Sequence, residues 1–166
     1  MRVKIIALAL LALFVQRLLG MPGLPSWSAE ILLPMALIVA LSLKGHEQHW
    51  PYEALLLGLG WDAVLEPVVG PGGIAWSAAA LCLFAAARLV ADRSPEAWAG
   101  FGALGAVVVL VAQRLAMLPL GLGTSWNLPS MLRTVLFTAL WCGAIGTVST
   151  IDLPKHWRAY RARKLR

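Results

Sequence analysis

Between Ile5 and Gly20 the chain carries a single charged side chain, Arg17, and runs of the same apolar character return until Ile151, parted only by brief Pro, Gly and charged punctuation. Stretches of that length are too long and too frequent to share one soluble core of 166 residues, so much of their surface must face lipid. The composition agrees: 60% of residues are hydrophobic and 13% charged, whereas soluble domains are roughly half apolar and a quarter charged. The expected fold is an all-α polytopic membrane protein with about six transmembrane helices in one bundle.

The punctuation sets the expected spans. The first runs from about Ile5 to Gly20, and a Pro/Gly turn through Met21 to Ser28 leads to a second from about Ala29 to Leu43. A polar loop, Lys44 to Pro51, precedes a third from about Tyr52 to Val69, and Gly70-Pro71-Gly72-Gly73 opens a fourth ending near Ala91. There Arg88 is expected to snorkel and pair with Asp92. A fifth span covers about Ala97 to Leu118, and a sixth about Pro129 to Ile151, stopped by Asp152 and Pro154. Residues 1–154 thus form the membrane domain and 155–166 a basic tail. The opening Met1-Arg2-Val3-Lys4 imitates a signal peptide, but no small-x-small cleavage site follows, and it reads as a retained first helix.

The net charge of +6 follows membrane topology rather than nucleic acid, for which the pattern predicts no role. Arg2 and Lys4 at one end, and Arg158, Arg161, Arg163, Lys164 and Arg166 at the other, mark both termini as cytoplasmic. Trp50, Trp98 and Trp157 then fall near the inner interface, and Trp27 and Trp126 near the outer one. Within the tail, Trp157, Arg158, Tyr160, Arg161, Arg163 and Lys164 suit either a helix lying on anionic lipid or a disordered basic anchor.

A charge inside a span costs roughly 2.5–3.5 kcal/mol, so each one calls for a reason. Arg17, Arg114 and Arg133 fall toward the outer ends of the first, fifth and sixth spans, and Glu30, Asp62 and Glu66 toward the same side of the second and third. Ala54, Gly58, Asp62 and Glu66 recur every fourth residue, which places two small residues and two carboxylates on one helix face. Arg17 or Arg114 is expected to reach those carboxylates through bidentate hydrogen bonds. The cluster has three readings: a lock on helix register, a docking site for a partner's transmembrane helix or periplasmic stem, or a small-ligand site. Gly102 and Ala106 on the fifth span form a second small-residue stripe for close helix approach.

An internal echo links the ends of the chain. Val15-Gln16-Arg17-Leu18, then Met21-Pro22-Gly23 and Ser26-Trp27, parallels Ala112-Gln113-Arg114-Leu115, then Pro119, Gly121 and Ser125-Trp126. The two hairpins read as parallel repeats. His46 and His49 flank Glu47 on a short loop, a weak metal pattern better read as a solvated loop, and Cys82 and Cys142 read as apolar filler. With no Ser/His/Asp set or phosphate loop in the sequence, the expectation is a protein without enzymatic activity, cofactor or metal.

At Glu53-Ala54-Leu55-Leu56-Leu57-Gly58-Leu59-Gly60-Trp61-Asp62, followed by Pro67, Gly70, Pro71, Gly72 and Ala75, the chain resembles the MreD family of rod-shape-determining membrane proteins. Gly58, Asp62 and Gly70 occupy the places of that family's Gly-x-x-x-Asp step and following Pro/Gly turn, while Trp61, Glu66 and the doubled Gly72-Gly73 depart from it. The resemblance implies a non-catalytic scaffold of the cell-elongation machinery in the bacterial cytoplasmic membrane. Its partner would be a single-span MreC-like protein, and through it MreB filaments and the peptidoglycan polymerase and transpeptidase. It also implies a helical bundle similar to the substrate-binding subunits of energy-coupling-factor transporters. The alternative function is therefore a small-molecule, vitamin-binding subunit of such a transporter.

Overall fold

Proline and glycine divide the chain into helices, because each proline removes a backbone donor and biases the residue before it away from the helical region. The computed structural model describes residues 2–22, 30–44, 50–66, 68–90, 94–122 and 127–150. Its elements are all helical: α1 (Arg2–Leu19), α2 (Met35–Lys44), α3 (Trp50–Leu65), α4 (Pro71–Leu89), α5 (Pro95–Met117) with a 3-10 turn Leu118–Leu120, and α6 (Leu128–Thr150). Pro71 and Pro95 sit in the first turns of α4 and α5, where the missing N–H would have had no helical acceptor. Ser94 caps α5 by accepting the Ala97 amide at 3.2 Å.

Among the described residues, three helices are long and apolar enough to cross a membrane: Pro71–Leu89, the continuous run Pro95–Leu120, and Leu128–Ser149. The chain is accordingly a helical membrane protein. The first half departs from the expected spans. α2 begins at Met35 instead of near Ala29, because Pro34 sets the helix start and Ile31 to Leu33 stay irregular. Its 10 residues rise about 15 Å and the 16 of α3 about 24 Å, against a hydrocarbon core of about 30 Å.

Small residues decide how the helices meet. α5 packs most extensively on α6, then on α4, and α4 on α3. A Cβ on Gly102 would lie 2.7 Å from Cys142 Sγ, and one on Gly146 2.7 Å from Trp98 Cγ, so the α5–α6 pair closes to backbone distance. Ala106 is fully buried in the same interface region, between Gly105, which abuts Met35, and Val109. The core gathers Met35 and Val39 of α2, Trp76 and Leu83 of α4, Val109 of α5 and Cys142 of α6. Trp61 and Trp76 stack obliquely at its centre, ring centroids 5.3 Å apart.

Outward faces are apolar as well. Leu128, Leu132, Leu136 and Leu140 line one exposed stripe of α6 at four-residue spacing, as a lipid-facing surface requires. Trp98, expected in an interfacial aromatic belt, is instead buried under Gly146, because the absent glycine side chain leaves a slot its indole fills. Trp27, Trp126, Trp157, Asp92, His46, His49 and the whole basic tail, Arg158, Tyr160, Arg161, Arg163 and Lys164 included, lie outside the described residues. Arg88 stands over the Phe84 ring, its guanidinium carbon 4.4 Å from the centroid.

Candidate functional site

Alternation of helix direction brings the C-terminal ends of α1, α3 and α5 and the N-terminal ends of α4 and α6 to one end of the bundle. All six charged residues singled out in the sequence are at that end, but they divide into separate groups.

Asp62 forms the first. It is fully buried, and its carboxylate accepts backbone amides from the start of the next helix. Gly70 N–H donates to Oδ2 at 2.7 Å, Gly72 N–H to Oδ2 at 2.9 Å and Oδ1 at 3.0 Å, and Gly73 N–H to Oδ2 at 3.3 Å. The opening of α4 carries no side-chain cap of its own, since its N-cap is Gly70. Asp62 supplies one from the preceding helix and sets a negative charge against the positive end of the α4 dipole. The geometry depends on glycine: Gly70 adopts φ 130°, a region L side chains rarely enter, and a Cβ on Gly72 would overlap the Asp62 carboxylate. In place of the expected bidentate pairing with Arg17 or Arg114, the Asp62 carboxylate accepts the backbone amides of Gly70, Gly72 and Gly73, which the start of α4 aims at it.

Gly58 belongs to the same contact. A Cβ there would lie 2.6 Å from the Gly72 carbonyl oxygen and 2.8 Å from Gly73 Cα, so the Gly58/Asp62 stripe is covered by α4. Ala54, one turn earlier, is buried on the same face. Both small-residue stripes are therefore occupied inside the chain, Gly58 by α4 and Gly102 by α6.

The second group lies between α3 and α5. Gln113 Nε2 donates to Glu66 Oε1 at 3.1 Å, and Glu66, Gln113 and Arg114 line a cavity of about 220 Å³ with Leu110 and Met117. The third is the ion pair of Arg133 with Glu30, 3.2 Å apart, in which the arginine side chain is 58% exposed and the glutamate 17%. Arg17 stands outside all three groups, exposed on α1.

Sequence reasoning missed a fourth polar feature, the harness around the irregular segment before α2. Thr138 Oγ1 accepts the Leu32 amide at 3.1 Å, Gln16 Oε1 accepts the Leu33 amide at 3.1 Å, and Trp141 Nε1 donates to the Leu33 carbonyl at 3.4 Å. Non-helical backbone is tolerated at membrane depth only where protein satisfies it, and here side chains of α1 and α6 do so. The available signal was a buried-type polar residue, Thr138, among apolar neighbours, opposite a proline-broken span.

An apolar groove of about 510 Å³ runs between α1 and the α2–α3 pair, lined by Ile6, Leu10, Leu13, Leu37, Leu41 and Leu57 among others. Set beside known proteins, the chain matches no family model, no curated protein and no solved structure.

Proposed function

We propose that this chain is a non-catalytic membrane scaffold of the bacterial cell-elongation machinery, holding an MreC-like single-span partner in the cytoplasmic membrane. The same reading includes six crossings with both termini in the cytoplasm. What carries it is the use made of the buried polar groups. Asp62, Gln16, Thr138 and Trp141 are committed to backbone groups of their own chain, which fixes helices in place and leaves an apolar groove open beside α1. A groove of leucine and isoleucine within a bilayer accepts another helix by close packing. The partner is therefore assigned to the α1 side, away from the Gly58 and Gly102 stripes that the chain fills itself.

The alternative, a vitamin-binding transporter subunit, draws on the Glu66/Arg114 cavity. At about 220 Å³ that cavity is smaller than the roughly 300–1,000 Å³ of pockets for drug-sized ligands. Affinity purification from native membranes, with identification of co-eluting proteins and small molecules, separates the two. A single-span protein recovered with the wild type and lost with Ala9→Trp, which fills the groove, supports the scaffold; Leu8→Trp, on the exposed side of α1, serves as control. Equal recovery with both variants removes the groove from the proposal, and a stoichiometric vitamin with no single-span protein overturns it.

A further inference from the structure

The apolar groove beside α1 carries a single charged residue in its wall, Glu53. Glu53, Leu57 and Gly60 follow at intervals of four and three, so one face of α3 turns all of them toward the groove. At Gly60 the two helices come close, since a Cβ there would lie 3.2 Å from Leu13 Cδ1. The lining then continues toward the start of both helices, through Leu10 and Ile6 on α1 and Glu53 and Tyr52 on α3. The seat from Gly60 to Glu53 is therefore about 10 Å long, two helical turns.

Glu53 is half-buried in the first turn of α3, where the helix dipole favours its negative charge. Among the described residues no side chain or backbone group bonds to it. Tyr52 beside it is exposed, as suits a membrane interface. A carboxylate at the interfacial end of an apolar wall is complementary to a cation that arrives with an apolar body.

The bilayer narrows the choice of cation. In the topology proposed above, α1 and α3 start on the cytoplasmic side, and Lys and Arg collect on the cytoplasmic flank of a single-span protein. From this charge complementarity we infer that Glu53 sets the orientation and register of the partner helix. Its carboxylate accepts a Lys or Arg from the partner's membrane flank, and the partner's next two turns fill the apolar seat against Leu13 and Leu57. The inference rests on the groove being the partner's seat.

The test places the full chain in nanodiscs, with p-benzoylphenylalanine in place of Leu56, an exposed residue of the groove wall. Synthetic probes are added and irradiated, each a leucine–alanine helix of about 20 residues with Gln at one end and Lys, Gln or Glu at the other. The Lys probe is expected to cross-link about three- to fifteenfold more than the Gln probe, the range for one polar contact between membrane helices. Its cross-linked positions should fall in the two turns next to Lys. Glu53→Gln should equalise the Lys and Gln probes, and Glu53→Lys should prefer the Glu probe, a reversal that a carboxylate serving only the α3 dipole would not produce. Because the probes themselves carry the charge change, the central comparison needs no variant at Glu53 to fold. Equal cross-linking of the Lys and Gln probes, cross-links at the far end of the probe, or a Lys preference unchanged in Glu53→Gln overturns the inference. Ala9→Trp separates it from the proposal beneath it. Loss of the native single-span partner from that variant, together with equal cross-linking of the Lys and Gln probes, keeps the groove as the seat and removes the role of Glu53; a Lys preference that survives Ala9→Trp overturns both.

Discussion

Replacing Asp62 with alanine removes, in one step, the acceptor for the amides of Gly70, Gly72 and Gly73. The Gly70 contact is only partly buried and its amide can regain water, whereas those of Gly72 and Gly73 are buried. Each buried N–H left unbonded costs about 1–3 kcal/mol, so two of them set the loss at about 2–6 kcal/mol. Removing the charge from the start of α4 adds about 0.3–1 kcal/mol. Asp62→Asn keeps one carbonyl oxygen as acceptor but turns an amide group toward the remaining donors, and about half the loss is expected. Reversible unfolding in mixed detergent micelles measures both variants against the wild type. The decisive comparison is the charge exchange Asp62→Arg with Arg114→Asp: a guanidinium cannot accept an amide, so the exchange should be no more stable than the worse single variant. Rescue by the exchange, or an Asp62→Ala protein within about 1 kcal/mol of the wild type, would refute the capping role.

Two further outcomes follow from contacts already described. Gly58→Ala should cost at least about 1–3 kcal/mol, because the added methyl meets backbone that moves only if α3 and α4 separate, while Gly100→Ala, into open space, should be neutral or stabilising by up to about 1 kcal/mol; equal effects in the same unfolding assay would rule out close α3–α4 contact. Thr138→Val should cost about 1–3 kcal/mol by stranding the buried Leu32 amide and should speed its hydrogen exchange, and Thr138→Ser should do neither.

Much of this arrangement was legible in residue spacing. A four-residue period put Gly58 and Asp62 on one face, and that face does meet another helix. Counting helix reversals put Arg17, Arg114, Arg133, Glu30, Asp62 and Glu66 toward one end, and of these the structure pairs Arg133 with Glu30 and sets Glu66 beside Gln113. The pairing was not legible, because opposite charges at equal depth say nothing of nearer backbone donors. A clue was present in Gly70-Pro71-Gly72-Gly73, a helix start without a Ser, Thr, Asp or Asn to cap it, so its amides had to find an acceptor elsewhere, and Asp62 is the nearest acid buried beside them. The irregular segment before α2 was hidden for a related reason. Ile31-Leu32-Leu33-Pro34 is as apolar as a helix, and hydropathy cannot register the missing turn that Pro34 imposes.

The harness on that segment also orders the protein's biosynthesis. The Leu32 amide and the Leu33 carbonyl find their partners on Thr138 and Trp141, more than a hundred residues downstream. Until α6 is made, the Leu32 amide and the Leu33 carbonyl at the entry to α2 lack these partners, although Gln16 of α1 can already accept the Leu33 amide, and at 10 residues α2 is a poor candidate for independent release into lipid. Its settlement awaits the emergence of α6, so α2, translated early, is among the last helices to be finished.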